Sequence, residues 1–134
     1  MFNARIKYEK IALVTGAESG IGRCTSLGLA SAGFHLVLAG RRLSALEETA
    51  ELIGDDNATC ISCDISTPQS VDVMYEKIES MFGRLDVLFN NAGNNVPAAT
   101  FGDFPVEDWL MVINVNLTGA FLAAQSAFKL MRKQ

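Results

Sequence analysis

The sequence predicts an α/β fold with a doubly wound parallel sheet. Four apolar runs alternate with four helical patterns, and short connections join them, which is typical of right-handed βαβ units. The runs are apolar throughout rather than at alternate positions, as expected of strands covered on both faces. Because the chain of 134 residues contains no linker, repeat or low-complexity tract, we expect one domain.

Each predicted element has its own local signal. The apolar runs place strands at residues 11–15, 35–40, 58–63 and 85–90. The first two helices, at 21–32 and 43–53, each stop at a glycine, which favours the end of a helix. A third, at 67–82, opens with Thr67 and Pro68, an N-cap residue followed by a first-turn proline. The fourth starts near Pro105 and is expected to run to the end of the chain.

Composition excludes several classes of protein. Apolar residues make up 49% and charged residues 19% of the chain, and the net charge is −4, which argues against nucleic acid as a partner. No uninterrupted apolar stretch approaches the length of a bilayer span, so we expect no membrane partner. With three cysteines and no secretory signal at the amino terminus, we expect a cytoplasmic protein.

Cys60 and Cys63 form a C-x-x-C pair that invites a redox or zinc interpretation. The pair lies within a predicted strand, where positions three apart point to opposite faces. A zinc site would also need more ligands, and His35, the single histidine, lies far away in sequence. We therefore interpret the pair as two small buried thiols.

A glycine-rich stretch, Val14 to Gly22, lies between the first predicted strand and the first helix. We expect Gly16 to allow a tight turn, Gly20 to let main-chain N–H groups approach a pyrophosphate, and Gly22 to let the helix pack closely on the sheet. The positive end of the helix dipole adds to the attraction of an anion. The pattern therefore favours dinucleotide binding over a turn that merely needs flexible residues.

A Walker-type phosphate loop is the rival interpretation of these glycines. That loop needs Lys followed by Ser or Thr after its last glycine. Here Arg23 and Cys24 occupy those positions, so the rival is weak.

The end of the second strand bears on the choice between NAD and NADP. An acidic residue there holds the ribose 2′-hydroxyl of NAD, whereas a nearby Arg accommodates the 2′-phosphate of NADP. Gly40 is followed by Arg41 and Arg42, and we expect no carboxylate there to repel a phosphate. NADP is thus favoured and NAD remains possible; the alternative is that both arginines only solvate a helix start.

Four motifs together resemble the short-chain dehydrogenase/reductase family. They are Thr15 to Gly22, similar to the family's TGxxxGIG loop; Cys63 to Ile65, similar to the end of its third strand; Asn90 to Gly93, matching NNAG; and Val115 to Gly119, similar to its asparagine-bearing helix segment. The resemblance extends from Ile11 onward. It implies a Rossmann-type sheet with strand order 3-2-1-4.

The resemblance also implies roles for individual residues. The predicted cofactor-binding residues, with the arginine pair included, are Thr15, Gly16, Ser19, Gly20, Ile21, Gly22, Arg41, Arg42, Asp64, Ile65, Asn91, Ala92 and Gly93. Asp64 would meet the adenine, and Asn116 would be catalytic, helping to hold a water and a lysine. The residues by themselves leave alternatives open: a solvated N-cap aspartate, an ordinary Asn-Gly turn, and a core asparagine satisfied by backbone.

The implied chemistry is hydride transfer between a nicotinamide and a carbonyl or alcohol carbon of a small molecule, with a tyrosine that exchanges a proton and a lysine four positions later. Tyr8 and Tyr75 are the only tyrosines, and Ala12 and Glu79 follow them at that spacing. We therefore expect a domain truncated before the catalytic tyrosine and lysine, and inactive alone. The alternative is a non-catalytic dinucleotide-binding module or a partner of a full-length relative.

An incomplete sheet would leave apolar surface uncovered. In the order 3-2-1-4 the fourth strand is an edge that invites pairing with another chain. The last helix carries an apolar stripe, namely Leu110, Ile113, Leu117, Phe121, Ala124 and Phe128. We expect the rest of the fold or a partner subunit to cover these surfaces, which predicts marginal stability for this chain and a homo-oligomer in the full-length form.

Overall fold

The computed structural model describes residues 10–134. The strands are β1 (Ile11–Thr15), β2 (His35–Gly40), β3 (Ala58–Ser62) and β4 (Val87–Phe89). The helices are α1 (Gly20–Ser31), α2 (Leu43–Ile53), α3 (Pro68–Phe82), α4 (Val106–Ile113) and α5 (Ala120–Met131), with a π-helical turn at Asn114–Gly119 and short 3₁₀ turns at Asp55–Asn57 and Phe101–Asp103. Tyr8, which the sequence excluded as a catalytic tyrosine, lies outside the described residues.

The four strands form one parallel sheet in the order β3-β2-β1-β4. The predicted doubly wound sheet and its order 3-2-1-4 are confirmed. Thr15 pairs with Ala39, and Gly40 pairs with Ser62. The carboxyl ends of the strands therefore meet along one edge, which is where parallel α/β sheets bind ligands.

Two apolar cores lie on opposite faces of this sheet. Alternate residues of a strand point to opposite faces, so Ile11 and Leu13 pack with α3 and α5 while Ala12 and Val14 pack with α1 and α2. All four side chains are buried. Burial on both faces explains why the strands read as continuous apolar runs.

Strand β4 is shorter than predicted, because side chains satisfy the backbone at both of its ends. The Gln134 side chain accepts a hydrogen bond from the Leu85 N–H (3.0 Å) and donates one to the Leu85 carbonyl (2.8 Å). Beyond the strand, the Asn91 N–H donates to the side-chain hydroxyl oxygen of Thr15 in β1 and not to a backbone carbonyl of that strand. The predicted range 85–90 is therefore too long, although Leu85 is fully buried.

The last helix runs without a break from Val106 to Met131 through the π-helical turn. Its packed face carries Gly119, Ala123, Ala127 and Leu130. Most of the predicted apolar stripe lies on the opposite, exposed face: Leu117, Phe121 and Phe128 are 58–65% exposed. The stripe does not contribute to the two cores of this chain.

By length and composition alone, the same helix could cross a membrane. Polar side chains such as Asn116 and Gln125 interrupt it, so the sequence shows no unbroken apolar run of that length. One such helix is weak evidence, since helices of water-soluble proteins pass the same test. The absence of a membrane partner stays a prediction.

Candidate functional site

A groove opens at the carboxyl edge of the sheet, between the glycine loop and the loops that follow β2, β3 and β4. Its lining residues are Thr15, Gly16, Glu18, Ala39, Gly40, Arg41, Cys63, Asp64, Ile65, Ala92, Gly93 and Val115. Seven of these are predicted cofactor-binding residues. The groove therefore brings together motifs that lie up to 100 residues apart in the sequence.

The glycine loop has the geometry that its three glycines predict. Gly16 and Gly20 have φ angles of +65° and +52°, which side-chain-bearing residues rarely adopt. A Cβ at Gly22 would lie 2.7 Å from the Gly16 carbonyl carbon and 2.8 Å from Asn91 Nδ2. Glycine at position 22 thus lets α1 start in direct contact with the loop.

The first turn of α1 faces solvent. Ser19 is its N-cap residue, and its side chain makes no capping hydrogen bond within the described part of the chain. Ser19 and Gly20 are exposed, and Ile21 is 71% exposed. A Cβ at Gly20 would project into open space, so the main-chain N–H groups at this helix end are accessible to an anion.

Thr15 joins the glycine loop to the loop after β4. Its buried hydroxyl oxygen accepts hydrogen bonds from the N–H groups of Asn91 and Ala92, both at 3.0 Å. The Asn91 side-chain amide in turn donates to the carbonyls of Thr15 (3.2 Å) and Gly16 (3.3 Å). These bonds fix the two loops relative to each other before any ligand binds.

Asn116 lies in the π-helical turn and holds the segment after Gly93. Its Nδ2 donates to the Asn94 carbonyl (3.0 Å), to Asn94 Oδ1 (2.8 Å) and to the Val112 carbonyl (2.9 Å). A Cβ at Gly93 would lie 2.6 Å from Asn116 Oδ1. Asn116 is exposed rather than a core residue, and turns of this kind recur at functional sites.

Asp64 follows β3 and lines the groove. Its Oδ1 accepts hydrogen bonds from the Ser66 hydroxyl (2.7 Å) and the Ser66 N–H (3.0 Å). These bonds lower the pKa of Asp64, and the positive charge of Arg41 lowers it further. The carboxylate is therefore ionised at neutral pH, and Arg41 lies close enough to interact with it.

A carboxylate lies beside the arginine pair, so the expectation that none lies at the end of β2 is wrong. The Glu18 side chain extends from the glycine loop to this strand end, where Oε1 accepts a hydrogen bond from the Arg42 N–H at 2.7 Å. Both arginines are exposed, but only Arg41 is among the groove-lining residues given above. Glu18 lies about twenty residues before this strand end in the sequence, so no local pattern predicts the contact.

The Cys60–Cys63 pair forms neither a disulfide nor a metal site, although Cys63 lines the groove. Cys60 and Cys63 belong to opposite cores, both are free thiols, and burial raises the pKa of each. Among residues 10–134 no group of His, Cys, Asp and Glu side chains could hold a metal. The buried-thiol interpretation agrees with this geometry, apart from Cys60 being only partly buried.

Tyr75 cannot replace a catalytic tyrosine. It is buried under α5, its hydroxyl donates to the Ala123 carbonyl at 2.8 Å, and burial raises its pKa. A catalytic tyrosine needs the opposite shift, towards neutral pH.

The groove walls contain some of the predicted site residues and also residues that the sequence did not predict. The groove walls contain Thr15, Gly16, Arg41, Asp64, Ile65, Ala92 and Gly93. Outside the walls, the remaining predicted residues are Ser19, the N-cap of α1; Gly20, Ile21 and Gly22 in its first turn; Arg42, the N-cap of α2; Asn91, bonded to the glycine loop; and Asn116, bonded to Asn94. Glu18, Ala39, Gly40, Cys63 and Val115 line the groove without having been predicted.

Comparison with known proteins decides the family. The family model described as short chain dehydrogenase matches residues 10–134. The chain belongs to the short-chain dehydrogenase/reductase family. It is a family of oxidoreductases, and the match covers every described element.

Relatives within the family are similar along most of this chain. The chain is 34% identical over 126 residues to an uncharacterized oxidoreductase of Staphylococcus aureus, covering 94% of this chain and 54% of the relative. It is 36% identical to an uncharacterized oxidoreductase of Staphylococcus saprophyticus, with coverages of 94% and 51%. The chain therefore spans about half the length of the curated relatives it matches.

Solved structures of the family have the same architecture. A short-chain dehydrogenase/reductase from Mycobacterium marinum superposes with a TM-score of 0.86 at 35% identity, covering 91% of this chain and 50% of that one. A metagenomic short-chain oxidoreductase in complex with NADP gives a TM-score of 0.87 at 27% identity, with coverages of 95% and 58%.

Proposed function

We propose that residues 1–134 form one nicotinamide dinucleotide-binding domain of an oxidoreductase that transfers hydride between the cofactor and a carbonyl or alcohol carbon. The observation that carries the proposal is the uncapped, exposed start of α1, held against the loop after β4 by Thr15. Family membership supports the reaction type. A cytoplasmic setting agrees with three free cysteines.

The dinucleotide would lie along the carboxyl edge of the sheet. Its pyrophosphate would accept hydrogen bonds from main-chain N–H groups of Ser19, Gly20, Ile21 and Gly22. Asp64 and Ile65 would contact the adenine, with the ionised carboxylate as a hydrogen-bond acceptor. The loop from Asn91 to Gly93 would approach the remainder of the cofactor, since it lines the groove beside Gly16.

We favour NADP as the cofactor, with NAD possible. Arg41 lines the groove and is exposed, so its guanidinium is available to a 2′-phosphate. The NADP complex of the metagenomic relative supports this choice. Arg42, the N-cap residue of α2, follows Arg41 and adds to the positive charge.

Calorimetric titration with NAD and NADP tests this assignment. We expect tighter binding of NADP, and Arg41→Ala should weaken NADP more than NAD. Arg132→Ala, which removes an exposed arginine just after α5, is the matched control and should change neither affinity. Tighter NAD binding with no effect of Arg41→Ala would contradict the NADP assignment but leave dinucleotide binding intact.

We also propose that this chain does not complete the reaction alone. Its sequence has no Tyr-x-x-x-Lys pair, and Tyr75 is buried and fully engaged with Ala123. Asn116, the one predicted catalytic residue in this chain, would then help to hold a water and the catalytic lysine. Steady-state assays with NADPH and a panel of carbonyl compounds should show no turnover; turnover abolished by Tyr75→Phe would overturn the proposal.

The second candidate function, a non-catalytic module that pairs with a relative, rests on the exposed face of the last helix. Leu117, Phe121 and Phe128 form an apolar surface that this chain leaves uncovered.

We propose that the full-length protein is a homo-oligomer and that this chain self-associates. Light scattering of the purified chain should show species larger than 14.5 kDa, whereas a monodisperse monomer would contradict association.

A further inference from the structure

Glu18 is the one acidic residue of the glycine loop, and its side chain lines the groove. It extends across the edge of the sheet to the end of β2, where Oε1 accepts the Arg42 N–H at 2.7 Å. Gly40 makes room for it, since a Cβ at position 40 would lie 2.5 Å from the Glu18 carboxyl carbon. The carboxylate therefore lies directly over the last residue of β2.

Charges around this strand end are balanced. Arg41 and Arg42 bring two positive charges, while Glu18 and Asp64 bring two negative ones. Arg41 interacts with Asp64, whose pKa it lowers. A 2′-phosphate approaching Arg41 would thus encounter two carboxylates lining the same groove.

We infer that Glu18 is a specificity-determining residue that limits the preference for NADP given by Arg41, because its carboxylate disfavours a 2′-phosphate and favours a free ribose 2′-hydroxyl. The inference rests on the proposed dinucleotide binding. In a Rossmann-type site the end of the second strand meets the 2′ position of the adenosine ribose. A carboxylate there accepts a hydrogen bond from a hydroxyl and repels a phosphate.

A structural role is the competing explanation for Glu18. The Arg42 N–H lies at the start of α2, where the helix dipole favours a negative charge. If Glu18 only capped α2, its removal would destabilise the fold and weaken both cofactors alike. If Glu18 selects the cofactor, its removal changes the ratio of the two affinities.

The test compares dissociation constants of NAD and NADP for the wild-type chain, Glu18→Gln and Glu18→Ser, with Glu51→Gln as control. Glu51 is exposed on α2, so this control removes the same charge away from the groove. Because a carboxylate and a phosphate repel each other, we expect both Glu18 variants to shift the affinity ratio towards NADP by about 10- to 100-fold. Glu51→Gln should leave the ratio unchanged.

Different outcomes separate the inference from the proposed function. An unchanged ratio in both Glu18 variants, or an equal loss of both affinities, would overturn the role of Glu18 while leaving dinucleotide binding in place. If a folded wild-type chain bound neither dinucleotide, the proposed function and the inference would both fail. Thermal melts of each variant establish folding, and the smaller Ser side chain guards against an effect specific to Gln.

Discussion

Replacing Gly22 by alanine tests the contact between α1 and the glycine loop. The new Cβ would lie 2.7 Å from the Gly16 carbonyl carbon and nearer still to its oxygen, whereas ordinary contact begins at 3.4 Å. Neither atom can rotate away, because both belong to the backbone. Overpacking of this kind costs up to about 3 kcal/mol, and the better helix propensity of alanine offsets about 1 kcal/mol.

The net destabilisation of Gly22→Ala is thus about 2 kcal/mol, equivalent to a fall in Tm of about 6–10 °C for a domain of this size. Dinucleotide affinity should fall as well, because α1 must move away from the loop. Circular dichroism melts and calorimetric titration measure the two effects.

Gly28→Ala is the matched control in the same helix. A Cβ at Gly28 meets no heavy atom within 4 Å, so only the helix propensity changes, which stabilises by about 1 kcal/mol. If both variants raised Tm alike, the argument from close packing at Gly22 would be refuted.

Three further substitutions test other parts of the structure. Thr15→Val leaves two loop N–H groups without their acceptor and should lower the free energy of unfolding in urea by about 1–3 kcal/mol. Thr15→Ser keeps the hydroxyl and should retain most of the wild-type stability. Equal losses in the two variants would contradict the role of the hydroxyl. Tyr75→Phe removes one buried hydrogen bond and should lower the free energy of unfolding by about 0.5–1.5 kcal/mol in the same assay. Unchanged stability would contradict a contribution of this hydrogen bond. The hydrogen bonds from Arg84 lower the pKa of Asp86, so the stability they contribute is present above the ordinary aspartate pKa of about 3.9 and is lost as the pH falls through the folded-state value. Asp86→Asn should therefore flatten the decline of Tm below about pH 4, and an unchanged acid profile would exclude this linkage.

Much of the fold could be predicted because strong local signals agree with the tertiary structure. β1, β2 and α2 have the predicted bounds, since continuous apolar runs and a terminal glycine both mark them. β4 was overestimated because the Gln134 side chain replaces a strand partner at Leu85. No local pattern reveals a side-chain contact 49 residues away.

The groove was predicted only in outline for the same reason. Its glycines and the Asn91 loop have characteristic sequence motifs, whereas the position of Glu18 depends on how the loop crosses to β2. The π-helical turn packs closely against the loop after β3 at Gly119, where a Cβ would lie 2.8 Å from the Ile65 side chain. Both features arise from packing between elements, which periodicity does not encode.

Hydrogen–deuterium exchange with and without NADP tests the central claim most directly, because it reports on main-chain amides. The account predicts that saturating NADP slows exchange at residues 16–23 and 90–93 more than in β3 or α5. NADP binding to the folded chain with no added protection of residues 16–23 would contradict it.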